Sequence, residues 1–196
     1  TLVVYSDDLS EFLPSLATEW EVNEAGNEYT FKLREDVYFH PGKFQDGRQM
    51  TAEDVKYSLE RSHNESALAR LAMLDHCEVI DDFTVKCVLP NPDASFLPAL
   101  TNGGNVIVPK EEVEGWGDEF GAHFVGTGPF MMKEWKTDEA VEFVRSENFW
   151  GGEVYLDGLN FVYITDINQR VNALKNGDID RSKEKQLYLK KRKRSI

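Results

Sequence analysis

Thr51-Ala-Glu-Asp-Val-Lys-Tyr-Ser-Leu-Glu-Arg61 is the stretch on which the fold turns. Thr51 followed three residues later by Asp54 has the form of a capping box, and Ala52, Val55 and Leu59 fall on one helical face. The spacing predicts an amphipathic helix starting at Thr51. Upstream lies a loop with two glycines and a proline, Phe39-His-Pro-Gly-Lys-Phe-Gln-Asp-Gly47. Before it, Trp20-Glu-Val22 and Tyr29-Thr-Phe-Lys-Leu-Arg34 alternate around Asn23-Glu-Ala-Gly-Asn27, a run of turn formers, which predicts a hairpin.

Downstream, Ala67 to Leu74 predicts a second short helix, and Glu78 to Lys86 a hairpin around Asp81-Asp82. A short helical stretch follows near Ser95 to Leu100, limited by Pro98. Asn102-Gly-Gly-Asn105 is a turn leading to a short strand, Val106-Ile-Val108, and Lys110 to Trp116 supplies one or two helical turns. Gly126-Thr-Gly-Pro129 breaks the chain. Beyond it, Phe130 to Trp135, Ala140 to Arg145 and Leu159 to Thr165 have the β-branched, aromatic character of strands. Asp166 can cap a helix over Ile167 to Lys175, with Ile167, Val171 and Leu174 on one face and Gly177 placed to end it. The order is mixed α and β, without the βαβ rhythm of a dinucleotide fold, so the class is α+β.

The chain has 196 residues, 41% of them hydrophobic and 12% aromatic, enough to bury a sizeable core. No apolar run approaches the roughly 18 residues that span a bilayer, and no secretory leader is present. A mature exported protein would also lack a leader, so the compartment is not given. Net charge is −13, unevenly spread. Arg181 to Ile196 holds eight of the 22 Lys and Arg and one of the 35 Asp and Glu, which leaves −20 on residues 1–180. So acidic a body repels phosphate backbones and argues against a nucleic-acid module. The basic end reads as a disordered tail, with binding to an anionic surface as the alternative.

Cys77 and Cys87 straddle the hairpin around Asp82. They face each other if the turn is centred there, near enough for a disulfide if the pair is non-hydrogen-bonded; two buried thiols are the alternative. No CxxC or His/Cys cluster accompanies them, so no metal site is expected, although His63 and His76 could in principle meet at one. There is no G-x-S-x-G, H-E-x-x-H or Walker loop, so no enzyme is expected. Carboxylates are too abundant for any pair to signal glycoside hydrolysis. Gly126-Thr-Gly-Pro129 either lets a ligand approach the backbone or serves simply as a turn. Aromatics such as Trp20, Tyr29, Phe31, Phe130, Trp135 and Trp150 read as core at alternating strand positions.

Several segments, in order and spacing, resemble the peptide/nickel class of extracellular solute-binding proteins, family 5 of those that feed ABC importers. They are Leu13-Pro-Ser-Leu-Ala-Thr-Glu-Trp20, Tyr29 to Arg34, Val37-Tyr-Phe-His40 with Asp46-Gly47, and Thr51 to Arg61. Further on come Asp81-Asp-Phe-Thr-Val85, Val108-Pro-Lys110, Gly126-Thr-Gly-Pro-Phe130, Asn148-Phe-Trp-Gly-Gly152 and Gly177-Asp-Ile-Asp180. The resemblance implies part of lobe I of a periplasmic-binding-protein-like type II fold, with a mixed sheet and flanking helices and hairpins. It gives residues 1–180 as a truncated lobe and 181–196 as the tail.

What it implies about function is capture of a peptide or similar small solute for an ABC permease, with no cofactor. The location would be extracellular or periplasmic, membrane-associated in the intact precursor. A chain with half a cleft is expected to bind weakly or not at all. Its alternatives are a stand-alone lobe that self-associates through an exposed cleft face, or a metal- or haem-binding member of the same family. Leu68-Ala-Arg-Leu-Ala-Met73 lies near the part of the family's lobe that reaches the cleft, which makes Arg70 and Leu71 candidate ligand-binding residues. Asn102, Gly103 and Gly104 lie where a loop could line the same cleft. A solvated arginine and a plain turn are the alternatives.

Overall fold

A computed structural model describes residues 1–66 and 68–182. Its organising element is helix α1, Ala52–Glu65, which begins where the capping signal placed it: Asp54 accepts the Thr51 N–H at 2.9 Å. Arg48 holds the same carboxylate bidentately at 2.6 and 2.8 Å, and its other edge meets Glu111 at 2.7 and 2.8 Å. One guanidinium thus ties the start of α1 to a later helix, and bidentate pairing fixes the angle between them as well as their distance.

The predicted apolar face, Ala52, Val55 and Leu59, is fully buried. It faces an antiparallel sheet of four strands in the order β3-β4-β6-β5, formed by Ala17–Val22, Glu28–Leu33, Thr84–Val88 and His76–Asp81. Alternation along β4 puts Tyr29, Phe31 and Leu33 on the inner face. Pairing then aligns whole rows across the sheet: Trp20, Phe31, Val85 and Val79 in one, Val22, Tyr29, Cys87 and Cys77 in the next. Burying each large side chain of such rows stabilises by about 1.5–3 kcal/mol, so the register is strongly specified. The β3–β4 turn closes through Asn23, whose Oδ1 accepts the N–H groups of Asn27 and Glu28 at 3.0 and 3.1 Å, with Gly26 at φ 73°.

At the amino end, β1 (Val3–Tyr5) pairs with β2 (Phe12–Pro14), and Leu2 and Val3 enter the core. Two short helices, α2 (Phe96–Leu100) and α3 (Lys110–Trp116), follow the sheet, and a 3-10 turn continues α3 over Gly117–Ala122. The later strands β7 (Phe130–Lys136), β8 (Ala140–Arg145) and β9 (Gly158–Val162) form a separate antiparallel sheet. Helix α4, Ile167–Asn176, is capped by Asp166, whose Oδ1 accepts the Gln169 N–H at 2.8 Å, and ends at Gly177 with φ 81°.

Two local expectations change. Residues 68–74 are not a helix but successive turns, closed by Ala69 N–H to Ser66, Ala72 to Ala69 and Leu74 to Leu71, with Ala69 at φ 46°. Val106–Val108 is not a strand, and the N–H and carbonyl of Val108 are taken by Ser58 of α1. Of the aromatics read as core, Tyr29 and Phe31 are buried and Trp20 and Trp150 pack against the core, while Trp135 is 46% exposed. Of the basic tail, all but Arg181 and Ser182 lies outside the described residues.

Gly126–Pro129 is a structural joint. His40 donates its N–H to the Gly126 carbonyl and its Nε2–H to that of Gly128, both at 2.8 Å. Trp150 Nε1 donates to Thr127 at 3.0 Å, and the Ser146 N–H to Pro129 at 2.9 Å. Every carbonyl of the turn thus has a partner within the protein. Burial pushes the His40 pKa down, against the opposing pull of its bond to Gly128, which favours the neutral ring.

Glu112 is a fully buried carboxylate that holds the Pro41–Gln45 loop. Its Oε1 accepts the N–H groups of Phe44 and Gln45 at 2.6 and 3.1 Å, and its Oε2 accepts Trp116 Nε1 at 3.0 Å. A side chain at Gly42 would collide with that carboxylate. All three partners are donors, so an amide at 112 must face at least one of them with its own N–H. Glu112→Gln is expected to cost about 1–3 kcal/mol, read as a lower urea midpoint at unchanged slope. Glu114→Gln, at an exposed ion pair with Lys110, should shift it by less than about 0.5 kcal/mol.

Candidate ligand-binding site

The carboxyl-terminal half of α1 carries polar side chains on or beside its buried stripe, and each holds a residue of another stretch of chain. Ser58, 5% exposed, accepts the Val108 N–H at 3.0 Å and donates to the Val108 carbonyl at 3.2 Å. Ser62 donates to Asn105 Oδ1. His63 uses Nδ1 to hold the Leu71 carbonyl at 2.9 Å. Successive turns of one helix therefore fix 105–108 on one side and the 68–74 turns on the other.

Asn105 completes the arrangement. It is 2% exposed, and its Nδ2 donates to the Ala99 carbonyl at 2.7 Å, so the loop is tied both to α1 and to the end of α2. Above this anchor, Asn102 Oδ1 accepts the Gly104 N–H at 2.8 Å and the Asn105 N–H reaches the Asn102 carbonyl at 2.8 Å. Asn102, Gly103 and Gly104 are exposed, on a turn whose base is hydrogen-bonded to α1 and α2.

Of the five residues singled out in the sequence, Arg70 and Gly104 approach each other, Asn102 and Gly103 stand in the same turn as Gly104, and Leu71 points into the core. The Arg70 guanidinium lies across Gly104, so closely that a side-chain carbon there would run into it. A larger residue there would have to displace the guanidinium. Arg70 is half-buried and reaches Ser66 Oγ at 3.4 Å. Among the described residues no carboxylate pairs with it, in a body carrying −20. Leu71 is fully buried in the core, so its side chain seats the Arg70 turn and does not face solvent. The local set is a cation, an amide and open glycine backbone on one surface. Such groups suit a carboxylate or other small anionic group, and nothing among them is a nucleophile with a base in reach.

Ser58, Ser62, His63 and Asn105 were not read from the sequence as part of this site. Ser58 and Ser62 stand four apart on the stripe of Val55 and Leu59, and two hydroxyls on an apolar face are a signal that something outside the helix must satisfy them. His63 and His76 do not meet. His76 sits instead between Asp75 and Glu78 at 2.8 and 3.3 Å, and among the described residues no group of three His, Cys, Asp or Glu could hold a metal. Among those residues, too, no helix is long and apolar enough to cross a membrane.

Comparison with solved structures defines the class. The fold superposes on the ABC transporter-associated periplasmic binding protein DppA from Helicobacter pylori, solved in complex with the peptide STSA, with a TM-score of 0.81 and 30% identity. The match covers 91% of this chain and 39% of that one. The architecture is thus part of a lobe of the type II periplasmic-binding-protein fold. Residues 11–194 match the family described as bacterial extracellular solute-binding proteins, family 5, and the chain belongs to that family. The match runs past Asp180, where the sequence reading placed a departure from the family pattern.

Among curated relatives, heme-binding protein A of Haemophilus influenzae is 32% identical over 200 residues, 91% of this chain. The dipeptide-binding protein of Escherichia coli is 28% identical over 198 residues, 90% of this chain. The chain spans about 37% of the length of these relatives. The family is made up of solute-binding proteins, which are not enzymes.

Proposed function

We propose that this chain is part of lobe I of the solute-binding component of an ABC importer, working outside the cytoplasmic membrane without catalysis. It would offer one wall of a cleft for a peptide or similar small solute and present that solute to a permease. In this reading residues 1–180 form the lobe unit. The observation that carries it is Arg70, with no carboxylate partner among the described residues, laid across Gly104 beside the exposed Asn102–Gly103 turn. Arg70 would meet an anionic group such as a peptide carboxylate, the Asn102–Gly104 backbone and amide would line the cleft beside it, and Leu71 would act only by seating Arg70.

Tight capture in such receptors requires burying most of the ligand between two walls. One wall leaves the solute in water, so the 196-residue chain is expected to bind peptides with Kd weaker than about 1 mM, less than about 4 kcal/mol of binding free energy. The test is titration of the ¹⁵N-labelled chain with a free-carboxylate tripeptide. Amide shifts should centre on 68–71 and 102–105 and weaken severalfold in Arg70→Ala. Shifts elsewhere, or shifts indifferent to Arg70, would contradict the site, and a micromolar complex would contradict the one-wall reading.

A second reading, self-association, rests on apolar side chains left uncovered on β9 and the residues after it: Phe161, Tyr163 and Ile167 are 57%, 64% and 50% exposed. Sedimentation equilibrium should then show dimer growing with concentration and falling in Phe161→Ser. A monomer throughout the range would exclude it.

A further inference from the structure

We propose that Cys77 and Cys87 form a cross-strand disulfide when the chain folds in an oxidising environment. Strand β5 is the edge of the four-stranded sheet, and Cys77 stands directly opposite Cys87 on β6. The Cys77 N–H does not point to β6. It donates to Glu60 Oε1 of α1 at 2.9 Å. Residues of a hydrogen-bonded pair exchange both N–H···O bonds, so this pair is of the other kind, in which Cα atoms lie about 4.5 Å apart. That spacing is within the range a disulfide needs, roughly 4.4–6.8 Å. The two sulfurs are 2.9 Å apart and both side chains are fully buried.

Burial also sets when the bond forms. In the folded, reduced protein the Cys87 thiol is pushed well up, first by desolvation and then by the neighbouring Cys77, so little thiolate exists and no reagent reaches it. Oxidation therefore belongs to folding, before α1 seals the face. One thiolate attacks a disulfide oxidant, a small-molecule disulfide or a disulfide-exchange protein, giving a mixed disulfide and releasing one thiol. The second cysteine's thiolate displaces the other thiol from that mixed disulfide. Two thiols lose two protons and two electrons in all, and the oxidant's disulfide becomes two thiols. Once folded, the bond is shielded from reductant as well.

The consequence reaches the candidate site. The crosslink pins the edge strand to β6 in one register, and β5 follows directly from the turns that carry Arg70 and Leu71. Its occurrence in the cell rests on the proposed location outside the cytoplasm, where disulfides persist. Its formation in purified protein does not, so failure of the bond and failure of the solute-binding reading are separate results.

The test starts from the full chain denatured and reduced, refolded in parallel with reduced glutathione alone and with a reduced/oxidised glutathione mixture. After the mixture, non-reducing peptide mapping should give one linked pair containing residues 77 and 87, two hydrogens lighter than the reduced peptides. For a loop this short, the linked form should melt about 5–10 °C above the reduced form of the same chain. The native reduced protein should resist alkylation until denaturant is added. Recovery of both cysteines as free thiols after refolding in the mixture would overturn the proposal, as would a linked form that melts below the reduced one.

Discussion

The interaction on which the rest depends is the seating of α1 on the inner face of the four-stranded sheet. Its apolar residues settle where the helix lies. Its hydroxyls and imidazole then help settle where two other stretches of chain lie, most firmly at Ser58, because a buried polar group without a partner costs about 1–3 kcal/mol. Ser58, which is buried, is satisfied only if Val108 arrives at its place, and the half-buried Ser62 and His63 add Asn105 and Leu71 as further partners. Placement of the candidate site is in this sense a by-product of hydrogen-bond accounting inside the core, and the exposed groups inherit the rigidity of buried ones.

The same logic runs through the loops. Arg48 links α1 to α3, Glu112 gathers the Pro41–Gln45 loop, and His40 and Trp150 take the carbonyls of Gly126–Pro129. Glycine at 42 answers to close approach by the buried Glu112 carboxylate, while at 104 the neighbour is the movable end of Arg70. Residues after Pro129 are held differently. Their sheet and α4 have no fully buried apolar side chain, and Phe161, Tyr163 and Ile167 present apolar surface to solvent.

Where local chemistry is decisive, the sequence was readable. A cap at Thr51, alternation in Tyr29–Leu33, turn formers at Asn23–Asn27 and the Asp166/Gly177 bracket each act within a few residues, and each element stands where it was expected. What failed depended on distant partners. The stretch from 67 to 74 has helix-forming composition, yet His63 holds the Leu71 carbonyl and Ala69 is turned to positive φ, so over 68–74 turns replace the helix. Val106–Val108 has strand composition, but Ser58 takes the backbone bonds a neighbouring strand would have made. For the candidate site, family resemblance pointed to Arg70, Leu71 and Asn102–Gly104 as the residues to consider. The anchors beneath them were hidden because a serine on a helix does not announce which carbonyl it will meet.

Hydrogen exchange across Asn105→Ala tests the central claim most directly. Asn105 links α1 to the Asn102–Gly104 turn without touching solvent or Arg70's charge. If buried polar anchors hold the site, the variant should stay folded, with exchange at 102–108 faster by about 10-fold or more, equivalent to about 1.4 kcal/mol or more of lost local protection, while β4 and β6 keep their protection. Unchanged exchange at 102–108 in a folded variant would show that the turn is placed by something else, and would contradict the account.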